Sequence, residues 1–187
     1  MISVEVLVEG YARRILDGWD ALATTSLIRT DGHVVVVDPG PAYQRIRRAL
    51  RSHGVEQHER SVFVTHFHFD HVAGMTAVPH LAVVDGAHVY AGSISRRHDG
   101  FPFGDAIELL PTPGHAPGHT SLLVDADDAR YAIAGDVIWH GRPSREALLQ
   151  APDPYAVDRD ILLENRKQLL RWADIVVPGH GPMFEVP

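Results

Sequence analysis

Thr65-His66-Phe67-His68-Phe69-Asp70-His71-Val72-Ala73-Gly74 decides the reading of this sequence. Three histidines and an aspartate follow directly on the apolar run 61–64, which reads as a buried strand. A strand that ends this way is not packing a core. Imidazole and carboxylate are the ligands that zinc and similar divalent ions take when no thiolate is present. Alternate residues leaving a strand point the same way, so His66 and His68 can grip one ion. Asp70 and His71 follow after the chain turns and can face a second. A histidine tag would lie at a terminus and would lack the aspartate.

Working outward, the same pattern recurs. The run 34–37 is four valines, apolar on both faces, and it stops at Asp38-Pro39-Gly40. Asp38 then serves either as a hydrogen-bond partner of a ligand or as a turn aspartate. Residues 106–110 read as a strand ending at Thr112-Pro113-Gly114-His115-Ala116-Pro117-Gly118-His119, which offers two histidines of which only one need be a ligand. Strands at 121–125 and 130–134 lead to Gly135-Asp136, and a last strand at 174–177 leads to Pro178-Gly179-His180. Further strands are expected at 3–9, 24–29, 33–37 and 81–84. Helices are expected at 43–53, 74–78 and 158–172, the longer two from apolar stripes at helical spacing. Strands alternating with helices predict an α/β protein with a mixed sheet.

Sites in such proteins form at strand ends. Four strand-end loops therefore gather His66, His68, Asp70, His71, one of His115 and His119, Asp136 and His180. These ligands suffice for two ions: three histidines on one, Asp70, His71 and His180 on the other, and Asp136 bridging with its two oxygens. Two metals about 3.5–4 Å apart hold a water whose pKa falls toward ~7, and they polarise a carbonyl or phosphoryl oxygen. Asp70 and Asp136 are thus expected to act in catalysis as well as in metal binding. No serine or cysteine nucleophile is required.

Composition sets the outer bounds. The 187 residues fit a single domain spanning 1–187, with 45% hydrophobic and 22% charged residues. There is no cysteine, which excludes disulfides and thiolate sites. The formal charge of −7 disfavours an RNA substrate relative to a small-molecule ester or phosphoester, unless Arg96, Arg97, Arg142 and Arg145 gather beside the metals. The sequence starts without the pattern of a signal peptide, and no apolar run nears the ~20 residues that span a bilayer. A cytoplasmic location without membrane association is the expectation. Arg45, Arg47, Arg48 and Arg51 read as a solvated helix face. Residues 96–103, with Arg96 and Arg97, read as a loop over the site and a source of substrate contacts. Oligomeric state is left open, a homo-oligomer included.

THFHFDHVAG, TPGHAPGHT, AGD and VPGHG, in that order, resemble the metallo-β-lactamase superfamily. The motifs span the chain from Asp38 to Gly181. The resemblance implies an αββα sandwich of two mixed β-sheets flanked by helices, with metals at one edge. It implies that His115 is the ligand, and that His119 and Asp38 support ligands without binding metal. The chain is similar above all to the short metallo-β-lactamase domain-containing protein 1 type, in its ending ADIVVPGHGPMFEV and in the preceding Ala151-Pro152-Asp153-Pro154. That group is linked to phosphodiester cleavage in RNA.

The absence of cysteine sets aside the cysteine-ligated β-lactamases. With its end close after His180, the chain is not expected to carry the helical domain by which glyoxalase II enzymes hold glutathione. The HFHFDH form is shared with quorum-quenching lactonases and esterases of the superfamily, which place a tyrosine beside the metals; Tyr155 is the candidate here. The expectation is a hydrolase with two divalent ions, zinc favoured and manganese or iron as alternatives. It would cleave phosphodiester or carboxylic ester bonds with a bridging hydroxide. The alternatives are a lactonase or thioesterase and, from another class, a non-hydrolytic metal or redox sensor.

Overall fold

A computed structural model describes residues 1–55, 60–100 and 106–187. Strands Ser3–Val8 (β1), Thr25–Thr30 (β4), His33–Val37 (β5), Arg60–Phe63 (β6), Ala82–Val84 (β7), His88–Ala91 (β8) and Ile94–Arg97 (β9) make one seven-stranded sheet in the order β1-β4-β5-β6-β7-β8-β9. Strands Tyr11–Ile15 (β2) and Gly18–Leu22 (β3) form a separate hairpin. Ile107–Pro111 (β10), Thr120–Asp125 (β11), Arg130–Gly135 (β12), Ile175–Pro178 (β13) and Phe184–Glu185 (β14) make a five-stranded sheet in sequence order. Helices are Tyr43–Ser52 (α1), Phe69–Val72 (α2), Arg145–Leu149 (α3) and Arg159–Trp172 (α4).

The alternation of side chains along each strand builds four layers. Val35, Val37, Phe63 and Val84 of the first sheet meet Leu122, Val124, Ile133 and Val177 of the second in one buried cluster. Their neighbours in sequence face outward. Val34, Val36, Val62 and Val64 pack with Ile46 and Leu50 of α1. Leu123, Ala132, Ala134 and Val176 pack with Leu162, Leu169 and Leu170 of α4. The result is an αββα sandwich of two mixed sheets. Four consecutive valines in β5 are apolar because both faces of that strand are covered.

Topology then brings the loops together. β5, β6 and β7 are parallel, so Asp38 and the histidine stretch leave the first sheet at one end. β12 and β13 are parallel, which puts Asp136 and His180 at one end of the second. β11 runs antiparallel to β12, so the loop that enters it, with His115 and His119, lies at that same end. α4 secures this loop: Asn165 Nδ2 donates to Pro113 O at 2.6 Å, and the backbone N–H of Val157 and Asp158 donate to Gly114 O.

The helix expected at 74–78 is a 3-10 turn at Met75–Ala77, and the short α2 lies before it, inside the histidine stretch. The β2–β3 and β8–β9 hairpins and the short α3 were not anticipated. Arg96 and Arg97, expected in a loop over the site, lie on β9 at the sheet edge and are exposed. Residues 101–103 of that expected loop lie outside the described residues. Among the described residues no helix is long and apolar enough to cross a membrane.

Candidate metal centre

Asp38 ends β5 with φ of 48°, a conformation unusual for a residue other than glycine. Its carboxylate is fully engaged. Oδ1 accepts from the Thr65 N–H at 2.8 Å, and Oδ2 accepts from Thr65 Oγ1 at 2.7 Å and His71 Nδ1 at 2.9 Å. Thr65 has spent its one hydroxyl proton on Asp38, so it must accept from His66 Nδ1, 3.1 Å away. His115 Nδ1 lies 2.8 Å from Asp153 Oδ2, and His180 Nδ1 lies 3.0 Å from Leu22 O.

All four rings, those of His66, His71, His115 and His180, therefore carry their proton on Nδ1 and donate it outward. Their Nε2 lone pairs turn inward. Partners that fix the tautomer from behind are the usual support of metal-binding histidines.

The inward atoms converge. His68 Nδ1 is 2.9 Å from His66 Nε2 and 3.0 Å from His115 Nε2. Asp136 lies between two groups. Its Oδ2 is 3.4 Å from His115 Nε2, and its Oδ1 is 3.2 Å from His71 Nε2 and 3.3 Å from His180 Nε2. Asp70 Oδ2 is 3.8 Å from His71 Nε2 and 3.6 Å from His180 Nε2. The ligand-type atoms of His66, His68, His115 and Asp136 lie within 4.8 Å of one another, as do those of Asp70, His71 and His180.

His71 Nε2 and Asp136 Oδ1 are buried and make no hydrogen bond. Lone pairs crowded together without donors are costly. A cation between them removes that cost, so these residues fit a divalent metal by the chemistry of their donor set.

Electrostatics point the same way. Burial opposes a charge on His71, yet Asp136 and Asp38 hold its pKa well above the usual imidazole range. Burial likewise opposes a charge on His180, and Asp136 raises it. Burial would raise Asp136, but His71 and His180 hold it well below the usual carboxylate range. The buried carboxylate of Asp136 thus draws positive charge to its neighbours, and metal ions would supply that charge with the Nε2 atoms unprotonated.

His119 differs. Its Nε2 accepts the backbone N–H of Asp136 at 3.1 Å, and its Nδ1 is 2.9 Å from Thr112 Oγ1. Both ring nitrogens are used, and burial pushes its pKa down to about 3. A neutral His119 fixes the backbone that carries Asp136.

Two glycines allow the close packing. A Cβ on Gly179 would sit 2.0 Å from Asp136 Oδ1, and one on Gly74 would sit 1.9 Å from Gly40 O.

A cleft of about 350 Å³ opens on this cluster, walled by Trp19, Phe69, Trp139 and Tyr155. The Tyr155 ring is 6.2 Å from that of His68 and stacks against Trp139 at 6.1 Å. Arg96 and Arg97 do not line this cleft. Sequence reasoning gave no role to Asp153, Trp19 or Trp139. The prolines on either side of Asp153 were the available signal of a fixed carboxylate; the tryptophans gave none.

Fold and side-chain cluster together define a metal-dependent hydrolase architecture, and the chain belongs to the metallo-beta-lactamase superfamily, whose members use divalent metals. The profile of that superfamily matches residues 19–101. The chain is 30% identical over 195 residues to metallo-beta-lactamase domain-containing protein 1 of Xenopus laevis, covering 98% of this chain and 82% of the relative. A solved metallo-beta-lactamase-type structure from Thermotoga maritima superposes with a TM-score of 0.70 at 16% identity, over 98% of this chain and 99% of that one. An N-acyl homoserine lactone hydrolase, solved with N-hexanoyl-L-homoserine at its catalytic metal centre, superposes with a TM-score of 0.62 at 17% identity, over 96% and 92% of the two chains.

Proposed function

We propose that the chain is a dinuclear metal-dependent hydrolase acting on phosphodiester or carboxylic ester bonds of small molecules. The observation that carries this is the inward turn of four Nε2 atoms, each fixed by a separate outward hydrogen bond from Nδ1, with the Asp136 carboxylate between the two groups and its Oδ1 without a hydrogen bond. His66, His68 and His115 would hold one ion, and Asp70, His71 and His180 the other, with Asp136 between. When bound, the ions supply hydroxide at neutral pH and positive charge opposite the oxygen that gains electrons.

The protein's own groups do the rest. Asp38 and Asp153 orient His71 and His115 through their Nδ1–H groups. His119 holds the backbone of Asp136 in register. Trp19, Phe69, Trp139 and Tyr155 limit water around the cleft and offer flat faces to a substrate. Asp70 is only partly buried and borders the cleft, so its second oxygen would be placed to take the proton of the attacking water and hand it to the departing oxygen.

A second reading is lactone hydrolysis. It is favoured by Tyr155, whose ring borders the cleft 6.4 Å from His115, and by the structural likeness to the homoserine lactone hydrolase.

The deciding experiment compares zinc- and manganese-loaded protein on a phosphodiester, a carboxylic ester and a lactone, with Asp136→Ala as control. Turnover of the phosphodiester or ester that drops by about a hundredfold or more in Asp136→Ala is the expected result. Turnover of the lactone alone would select the second reading. No turnover of any of the three would reject both.

A further inference from the structure

A larger groove of about 880 Å³ adjoins the metal cleft, and Trp19 and Trp139 wall both. Three separate segments supply its cations: Arg14 on β2, Arg142 after β12 and Arg159 at the start of α4. No hydrogen bond or ion pair engages any of these three guanidinium groups among the described residues. The groove's fourth arginine is different. Arg166 is buried and holds the carbonyls of Val137, Leu149 and Ala151 at 2.8, 3.1 and 2.6 Å.

The acids beside them are fewer. Asp153 is committed to His115 and to the Tyr155 N–H, which leaves Asp160 alone. A local excess of uncompensated cations in a chain of net charge −7 is a place where a negative ligand gains.

The opposite side of the metal cluster has another character. A cavity of about 500 Å³ beside His66 and His68 is lined chiefly by Phe67, Pro111, Pro113, Ala116 and Pro117, with Asp85 as its one carboxylate, and among the described residues no lysine or arginine borders it. The molecule is therefore polarised across its centre. Aromatic walls lie at the metals, free guanidinium groups beyond Trp139, and apolar surface behind the histidine stretch.

Resting on the hydrolase reading above, we infer that Arg14, Arg142 and Arg159 form an anion subsite that holds a phosphate or carboxylate at the far end of the substrate, across Trp139 from the bond that is cut. Guanidinium suits either group because its planar donors match paired oxygens. The substrate class this selects is a small ester or phosphodiester bearing a second, uncleaved negative charge. An arginine of the β2–β3 hairpin and one of α4 would close on the two sides of that charge.

The test uses zinc-loaded protein and the triple variant Arg14→Gln, Arg142→Gln, Arg159→Gln, with zinc content and circular dichroism checked in both. Phenyl phosphate, phenylacetate and phenol are titrated against the fluorescence of the tryptophans beside the groove. The expected result is binding of the anions over phenol, weakened about tenfold or more in the variant and by added salt. Stronger loss for phenyl phosphate names a phosphorylated substrate, and stronger loss for phenylacetate a carboxylated one. Equal affinity in both proteins would place the anion on the metals and overturn the subsite, as would absence of anion binding to the unsubstituted protein.

Turnover separates the two inferences. Paired esters that differ only in a distal neutral or anionic group should show a preference for the anionic one, expressed in KM and reduced toward unity in the variant. Arginine-dependent binding with no hydrolysis of any ester or phosphodiester leaves the subsite and rejects the hydrolase. Hydrolysis without arginine dependence does the reverse.

Discussion

At the scale of single residues, the centre depends on which nitrogen each ring turns inward. His115 and His119 lie four residues apart in one loop, yet their surroundings assign them opposite duties. Asp153 takes the Nδ1 proton of His115 and frees Nε2. The Asp136 N–H occupies Nε2 of His119. His115→Ala should accordingly release zinc from the His66–His68 side, read as loss of close to one ion per chain. His119→Ala should keep most of the zinc and lose turnover by displacing Asp136. Zinc loss in His119→Ala with retention in His115→Ala would reverse the assignment. Gly179 gives an independent handle on Asp136. Its added Cβ would sit on Oδ1, so Gly179→Ala should leave secondary structure intact by circular dichroism while zinc affinity falls. Zinc affinity equal to that of the unsubstituted protein would show that Asp136 Oδ1 is not needed where it lies.

At the scale of elements, α4 braces the site from outside. It carries no candidate ligand. Asp158 caps it by accepting from the N–H of Asp160 and Ile161 at 3.1 and 3.0 Å. From its buried face Asn165 holds the loop of His115, and Arg166 ties the end of β12 to the segment leading to Asp153. Among the described residues Arg166 has no carboxylate partner within salt-bridge distance, and burial lowers its pKa. Its charge is met by three carbonyl dipoles. Arg166→Leu should remove those bonds and leave the carbonyls bare, costing about 2–4 kcal/mol in chemical denaturation. Zinc on the His115 side should weaken more than zinc on the His71 side. A loss within 0.5 kcal/mol, on the scale expected of ordinary surface substitutions, would mean that the segment holds itself. α1 shows the contrast. Its arginines Arg45, Arg47, Arg48 and Arg51 are exposed and face away from its packed residues Ile46 and Leu50, as its spacing predicted.

At the scale of the whole molecule, periodicity and strand-end chemistry carried much of the reading, and the reasons are physical. A strand buried on both faces must be apolar throughout, so β5 and β6 stood out. A histidine or aspartate placed after such a strand has little other reason to be there. Parallel pairing of β5 with β6 and of β12 with β13 then puts those residues at one rim. What sequence could not carry was the half-exposed structure. Among the described residues β2 and β3 pair only with each other, and they alternate weakly because, Leu22 apart, none of their residues is fully buried on either face. Yet the hairpin brings Trp19 to the cleft and Arg14 to the groove. Leu22, at its end, lends His180 a backbone carbonyl, which no side-chain pattern encodes. Arg96 and Arg97 read as loop although they lie on β9, because all four residues of that strand are exposed and leave no apolar alternation. Asp153, quoted only within a resembling segment, received no role because it lies between helices, in a stretch without period.

The most direct test of the account is the metal content of the purified chain. Protein stripped of metal, reloaded with zinc and passed through a desalting column should hold two ions per chain by inductively coupled plasma mass spectrometry. Asp136→Ala should hold fewer than two. One ion in the unsubstituted protein, with Asp70→Ala and His180→Ala unchanged from it, would contradict a dinuclear centre built on both sides of Asp136.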